Sequence, residues 1–156
     1  MADFIEKQIE LKAPVSRVWR ALTDYREFGA WFRVDLEGPF VAGQITHGRN
    51  TYSGYENLVM EFAVQRIEPE SYFAYTWHPF PVEAGIDYSR ETPTLVEFRL
   101  APKAGGTLLS VRESGFDAIP DYRRAEAFRM HESGWAGQLA NIEKHVTGHS
   151  EATLGA

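Results

Sequence analysis

A period of two dominates the chain from Val34 to Glu113, and a helical period takes over from Asp121 to Val146. In the middle region Leu58, Met60, Phe62 and Val64 fall at alternate positions, as do Phe73, Tyr75 and Trp77, then Val96, Phe98 and Leu100, then Leu109 and Val111. Each run predicts a strand with one apolar and one wetted face, as in an antiparallel sheet. The predicted strands are Gln44–Arg49, Leu58–Ile67, Tyr72–His78, Thr94–Ala101 and Thr107–Glu113, separated by Gly and Pro punctuation such as Gly38-Pro39, Glu68-Pro69 and Gly105-Gly106. Phe4–Lys12 alternates more loosely and predicts a further half-buried strand. Pro79–Thr92 reads as a long connection of the kind that serves as a lid or binding loop.

Two short helices are predicted after the first strand. Pro14 suits a helix start, and Val15, Val18, Trp19 and Leu22 follow at i, i+3, i+4 and i+7. Asp24 with Glu27 three residues on resembles a capping box opening a second helix that runs through Trp31, shortened or bent by Gly29. Near the C-terminus, Ser114-Gly115 makes a turn and Pro120 starts one long helix, on which Phe128, Trp135, Leu139, Ile142 and Val146 share a narrow sector. At 1.5 Å per residue that helix is roughly 40 Å long, enough to cross a whole sheet. The predicted fold class is therefore α+β: a curved antiparallel sheet of about six or seven strands wrapped around a long C-terminal helix, with two short helices after strand 1. Residues 1–148 are expected to form one domain and 149–156 a frayed tail.

Composition narrows the function classes. The chain has 156 residues and a net charge of −6, from 16 basic and 22 acidic residues with no Lys/Arg run, which argues against nucleic acid and anionic membrane surfaces. There is no cysteine, which removes disulfides, thiol catalysis and Cys-ligated zinc. The N-terminus lacks a signal-peptide pattern and no segment reaches the ~20 apolar residues of a membrane span, so a cytoplasmic protein is expected. Aromatic content is high, with four Trp, seven Tyr and ten Phe; such side chains fill cores or line ligand pockets.

The order of elements and particular residues resemble a known superfamily. The matching stretches are Ala13-Pro14, Val18-Trp19-Arg20-Ala21-Leu22-Thr23-Asp24, Phe28, Trp31-Phe32, Glu68-Pro69, Tyr75-Thr76-Trp77, Thr94-Leu95-Val96-Glu97-Phe98, Gly105-Gly106-Thr107, Glu113-Ser114-Gly115-Phe116 and Gly134-Trp135 with Leu139 and Asn141-Ile142. Together they resemble the START-like helix-grip superfamily called SRPBCC, in the branch named for the activator of the heat-shock-protein-90 ATPase. The resemblance implies the helix-grip fold. It leaves function open, because the superfamily includes lipid carriers, hormone receptors, polyketide cyclases and co-chaperone domains.

Strand parity singles out one carboxylate. Leu109 and Val111 face the core, so Glu113, continuing that face, either points inward at the sheet end near the long helix or, as a strand-end residue, bends into solvent or caps the Ser114-Gly115 turn. An inward carboxylate needs partners. His131, one turn before Trp135, faces the interior to contact a ligand, pairs with Glu113, or stands at the boundary hydrogen-bonded to solvent. Phe62, Tyr75, Trp77, Phe98 and Trp135 are the inward aromatics. These seven residues (Phe62, Tyr75, Trp77, Phe98, Glu113, His131 and Trp135) form the candidate ligand-binding set, for a small apolar or aromatic molecule. Trp19 and Trp31 are core or pocket rim. Arg123-Arg124 reads as a solvated helix face. His47 and His78 are scattered, His149 lies beyond the expected helix stop at Gly148, and there is no Gly-x-Ser-x-Gly elbow or phosphate loop, so no metal, cofactor or covalent catalytic residue is expected. Two alternatives stand beside ligand binding: a cyclase- or hydratase-type enzyme with Glu113 and His131 as acid and base, and a chaperone-associated stress-response module. The chain is expected to be a monomer or homodimer.

Overall fold

A computed structural model describes residues 3–56, 58–78 and 90–147. The elements run β1 (Phe4–Leu11), α1 (Val15–Thr23), α2 (Tyr25–Phe32), β2 (Val34–Leu36), β3 (Ile45–Asn50), β4 (Val59–Glu68), β5 (Tyr72–Trp77), β6 (Thr94–Lys103), β7 (Gly106–Ser114), a 3-10 turn at Phe116–Ala118, and α3 (Asp121–Val146). The seven strands form one antiparallel sheet in the order β1-β7-β6-β5-β4-β3-β2. The sheet is curved and holds α3, with α1 and α2 completing the layer. Most of the predicted Pro79–Thr92 connection and the 149–156 tail lie outside the described residues.

The alternation read from the sequence lands on the inner face. Phe62, Val64, Phe73, Tyr75, Trp77, Val96, Phe98, Leu100, Leu109 and Val111 are all buried. On β4 the pattern stops at a bulge between Val64 and Arg66, where the register to β5 shifts. The short edge strand β2 was not among the predicted strands. It forms because α2 ends at Arg33 in the left-handed region (φ 72) and Val34 turns at once to pair with Asn50. Gly29 belongs to that junction: a Cβ there would meet the Val34 carbonyl oxygen at 2.5 Å. Asp24 does cap α2, accepting from the amides of Arg26 and Glu27. Glu27 does not reach back as a capping box requires, because its carboxylate is committed to other helices.

Closure between β1 and β7 depends on one glycine. A Cβ on Gly106 would stand 2.0 Å from the Leu11 carbonyl oxygen, a backbone atom that cannot swing aside. Next to it, Thr107 donates its hydroxyl to the Ala13 carbonyl at 2.7 Å. Gly106→Ala is therefore expected to destabilise the protein by about 1–3 kcal/mol or more, the range for overpacking a fitted interior. Urea denaturation checks this, and an unchanged midpoint would show that the β1 end is free to move.

Candidate functional site

The seven residues proposed from sequence converge on one region. Phe62, Tyr75, Phe98 and Glu113 are fully buried, and Trp135 and Trp77 are nearly so. The rings form a continuous network. Phe62 meets Tyr75 at 5.0 Å, Tyr75 meets Trp77 at 5.2 Å, and Trp77 stacks on Trp135 at 5.8 Å, with Phe98 edge-on to Trp135 at 5.7 Å. Phe32 of α2 touches Phe62, Trp77 and Trp135, joining the short helix to the cluster.

Glu113 is the polar centre. One carboxylate oxygen accepts from the Trp77 indole at 2.8 Å and from the Thr94 hydroxyl at 2.5 Å. The other accepts from the Trp135 indole at 2.8 Å and lies 2.7 Å from His131 Nδ1. A carboxylate has about four lone-pair positions, and all are occupied. Burial pushes the Glu113 pKa up, but the His131 charge and the hydrogen bonds from His131, Thr94 and Trp77 outweigh it and hold the pKa below the ordinary value. The carboxylate is thus ionised at neutral pH. His131 is 16% exposed; its Nδ1 is engaged by Glu113, and its ring also packs edge-on against Trp77 at 5.5 Å. His131 is thus the member of the network nearest solvent.

Thr94 is not among the residues that the sequence pattern singles out. A parity signal existed: Thr94 pairs directly with Trp77 across β5 and β6, and on its own strand it begins the inward series Thr94, Val96, Phe98, Leu100. A short polar residue at the head of an apolar face, opposite a tryptophan, marks a place where a buried acceptor needs a donor.

Both ends of α3 are clamped, which holds His131 and Trp135 over Glu113. At the N-terminal end the predicted solvated arginine pair is split. Arg124 folds back on the carbonyls of Ile119 and Asp117. Arg123 is buried instead, one turn before buried Ala127, and it forms a bidentate pair with Glu91 at 2.6–3.2 Å. At the C-terminal end Glu27 accepts from Arg17 at 2.6 Å and Arg20 at 2.8 Å, and lies 2.9 Å from His145 Nε2, tying α1, α2 and α3 together. Burial raises the Glu27 pKa, but the hydrogen bonds from His145 and Arg17 prevail and lower it. His145 is thus a structural tie. Trp31 is core, its indole donating to the Ala21 carbonyl at 2.8 Å, while Trp19 is half-buried against the core.

The opposite face of the sheet is polar. An open groove of about 810 Å³ runs over Tyr72, Glu97, Arg99 and Ser110. The Tyr72 hydroxyl donates to Glu97 at 2.5 Å, and burial with that carboxylate pushes its pKa to about 12. Among the described residues no group of three or more His, Asp or Glu comes together as a metal site, and no helix is long and apolar enough to cross a membrane.

The family model described as "Activator of Hsp90 ATPase homolog 1-like protein" matches residues 12–147. No curated protein matches the chain in sequence. Among solved structures, DynU16, described as a putative protein in the dynemicin biosynthetic locus, is 22% identical with a TM-score of 0.72; the match covers 94% of this chain but only 48% of DynU16, so the chain spans about half of that protein. Protein MLL2253 from Mesorhizobium loti is 23% identical, with a TM-score of 0.73 over 94% of this chain and 98% of that one. The Aha1 dimer from Colwellia psychrerythraea is 18% identical, with a TM-score of 0.69 over 94% and 96% of the two chains. At these identities the likeness shows a shared fold.

Proposed function

Because the chain belongs to the activator of Hsp90 ATPase homolog 1-like family, whose helix-grip fold suits a ligand-binding or cyclase-like role, we propose that it binds a small, flat, largely apolar molecule between the inner face of the sheet and α3. The observation that carries this reading is the ionised carboxylate of Glu113, with no solvent exposure, set among aromatic rings. A buried ionic network is a poor route to stability, since apolar side chains of similar volume often do as well or better. An apolar lining with a few convergent polar groups is the usual composition of a small-molecule site. In this reading Phe62, Tyr75, Trp77, Phe98 and Trp135 provide ring surface, while Glu113 orients the two indoles and His131.

The test is native mass spectrometry of the freshly purified protein, with tryptophan fluorescence titration against a panel of hydrophobic and aromatic compounds. Trp77 and Trp135 both contact the carboxylate, so occupancy is expected to change their emission. A panel that neither co-purifies nor titrates would end the reading.

A second reading is favoured by one distance. Glu113 and His131 lie 2.7 Å apart, well within reach for coupled proton transfer. With the carboxylate fully engaged, His131 would be the acid–base group and Glu113 would position it. Conversion of a retained compound by the native protein, lost in His131→Asn with binding intact, would establish this role. The chaperone-associated role rests on the family description alone, and a chaperone ATPase-stimulation assay decides it.

A further inference from the structure

The Tyr75 hydroxyl is fully buried and has no hydrogen-bond partner, the one described buried side-chain polar atom in that state. Tyr75 on β5 stands opposite Val96 on β6, which stands opposite Glu113 on β7. The two polar side chains thus share one row of the inner face, two strands and about 10 Å of backbone apart. Around Tyr75 lie the rings of Phe62 at 5.0 Å, Trp77 at 5.2 Å, Phe73 at 5.7 Å and Phe98 at 6.3 Å. None satisfies the hydroxyl: three are phenyl rings, and the Trp77 N–H is spent on Glu113. Phenylalanine fills those three neighbouring positions. An unsatisfied buried hydroxyl costs about 1–3 kcal/mol, which a phenylalanine at 75 would avoid.

We propose that the Tyr75 hydroxyl is the hydrogen-bond donor that recognises the ligand, and that the ligand is a neutral, planar aromatic compound presenting a carbonyl oxygen. This rests on the ligand-binding reading above and specifies its chemistry. The polar group expected to meet the ligand from the sheet is thus Tyr75, because every acceptor position of Glu113 is occupied. Burial, reinforced by the Glu113 charge, raises the Tyr75 pKa well above its ordinary value, so the hydroxyl keeps its proton and donates. The same negative charge disfavours an anionic ligand in the row that Tyr75 and Glu113 share.

A matched pair of probes isolates the oxygen: 9-fluorenone carries the carbonyl, and fluorene has the same flat frame without it. By equilibrium dialysis the native protein is expected to hold fluorenone about 3–10-fold more tightly than fluorene, the range given by one net hydrogen bond. Fluorene-9-carboxylate is expected to bind more weakly than fluorenone. In Tyr75→Phe the fluorenone preference is expected to fall to near one while fluorene affinity stays within about twofold. The variant should also be at least as resistant to urea as the native protein, since it loses a hydroxyl with no partner. A preference that survives in Tyr75→Phe overturns the proposal. Equal binding of both probes by the native protein overturns it too, while leaving the ligand-binding reading standing. Uptake of neither probe, together with a silent hydrophobic panel, overturns both.

Discussion

Glu113→Gln is expected to lower stability by about 3–5 kcal/mol, the range for removing one partner of a buried ionic network. The geometry explains why so conservative a change is costly. The two indole N–H groups approach different oxygens, Trp77 on one side and Trp135 on the other. A glutamine has one oxygen and one NH2. Thr94 can rotate its hydroxyl, and a neutral His131 can offer a lone pair, but an indole can only donate. Whichever way the amide is turned, one indole N–H faces an amide N–H and is left buried without an acceptor. At 2–4 °C per kcal/mol for a domain of this size, the melting temperature should fall by about 10 °C.

The pH dependence has a definite sign. The folded-state pKa of Glu113 lies below its unfolded value of 4.5. Its contribution is therefore fully present above the unfolded value and is lost as pH falls through the depressed folded value. The gap between native protein and Glu113→Gln should be open at about pH 5 and narrow on further acidification. Urea midpoints across that range measure it, and a gap that does not narrow below the unfolded value of 4.5 would show that the ionised carboxylate is not its source.

Arg123→Met is the second large effect, expected to cost about 3–5 kcal/mol. Arg123 and Glu91 have side chains only 7% and 10% exposed. Removing the guanidinium leaves the Glu91 carboxylate desolvated without the forked donor that faces it. The double variant Arg123→Met/Glu91→Leu should recover part of the loss, because a paired apolar replacement leaves neither charge stranded. Chemical denaturation of the single and double variants gives the comparison. A double variant as unstable as the sum of both single changes would show that the two residues act independently. The pair joins the start of α3 to the segment entering β6, so the single variant should also loosen His131 and Trp135 over Glu113, visible as altered tryptophan emission.

Much of the site was legible in the chain. A strand's period of two leaves no freedom about which side chains share a face, so Leu109 and Val111 placed Glu113 indoors, and the same rule grouped Tyr75, Trp77 and Phe98. The helical sector holding Trp135, Leu139, Ile142 and Val146 is likewise buried, with Phe128 at its half-exposed margin. The errors have a common cause. Arg123 looked solvated because charge is usually outside, and only the approach of Glu91, 32 residues earlier in the chain, makes its burial affordable. Glu27 looked like a cap, yet His145 lies 118 residues away in sequence and draws it elsewhere.

Local periodicity and glycine and proline placement thus determined the order of the longer elements and the inner face of the long strands. Tertiary structure alone decided which donors meet the buried carboxylate, that its capacity is exhausted, and that the Tyr75 oxygen is left over. The physical reason is that apolar burial depends on each residue's own position along its element, whereas hydrogen bonds and ion pairs require two atoms within about 3 Å, a condition set by how distant segments dock.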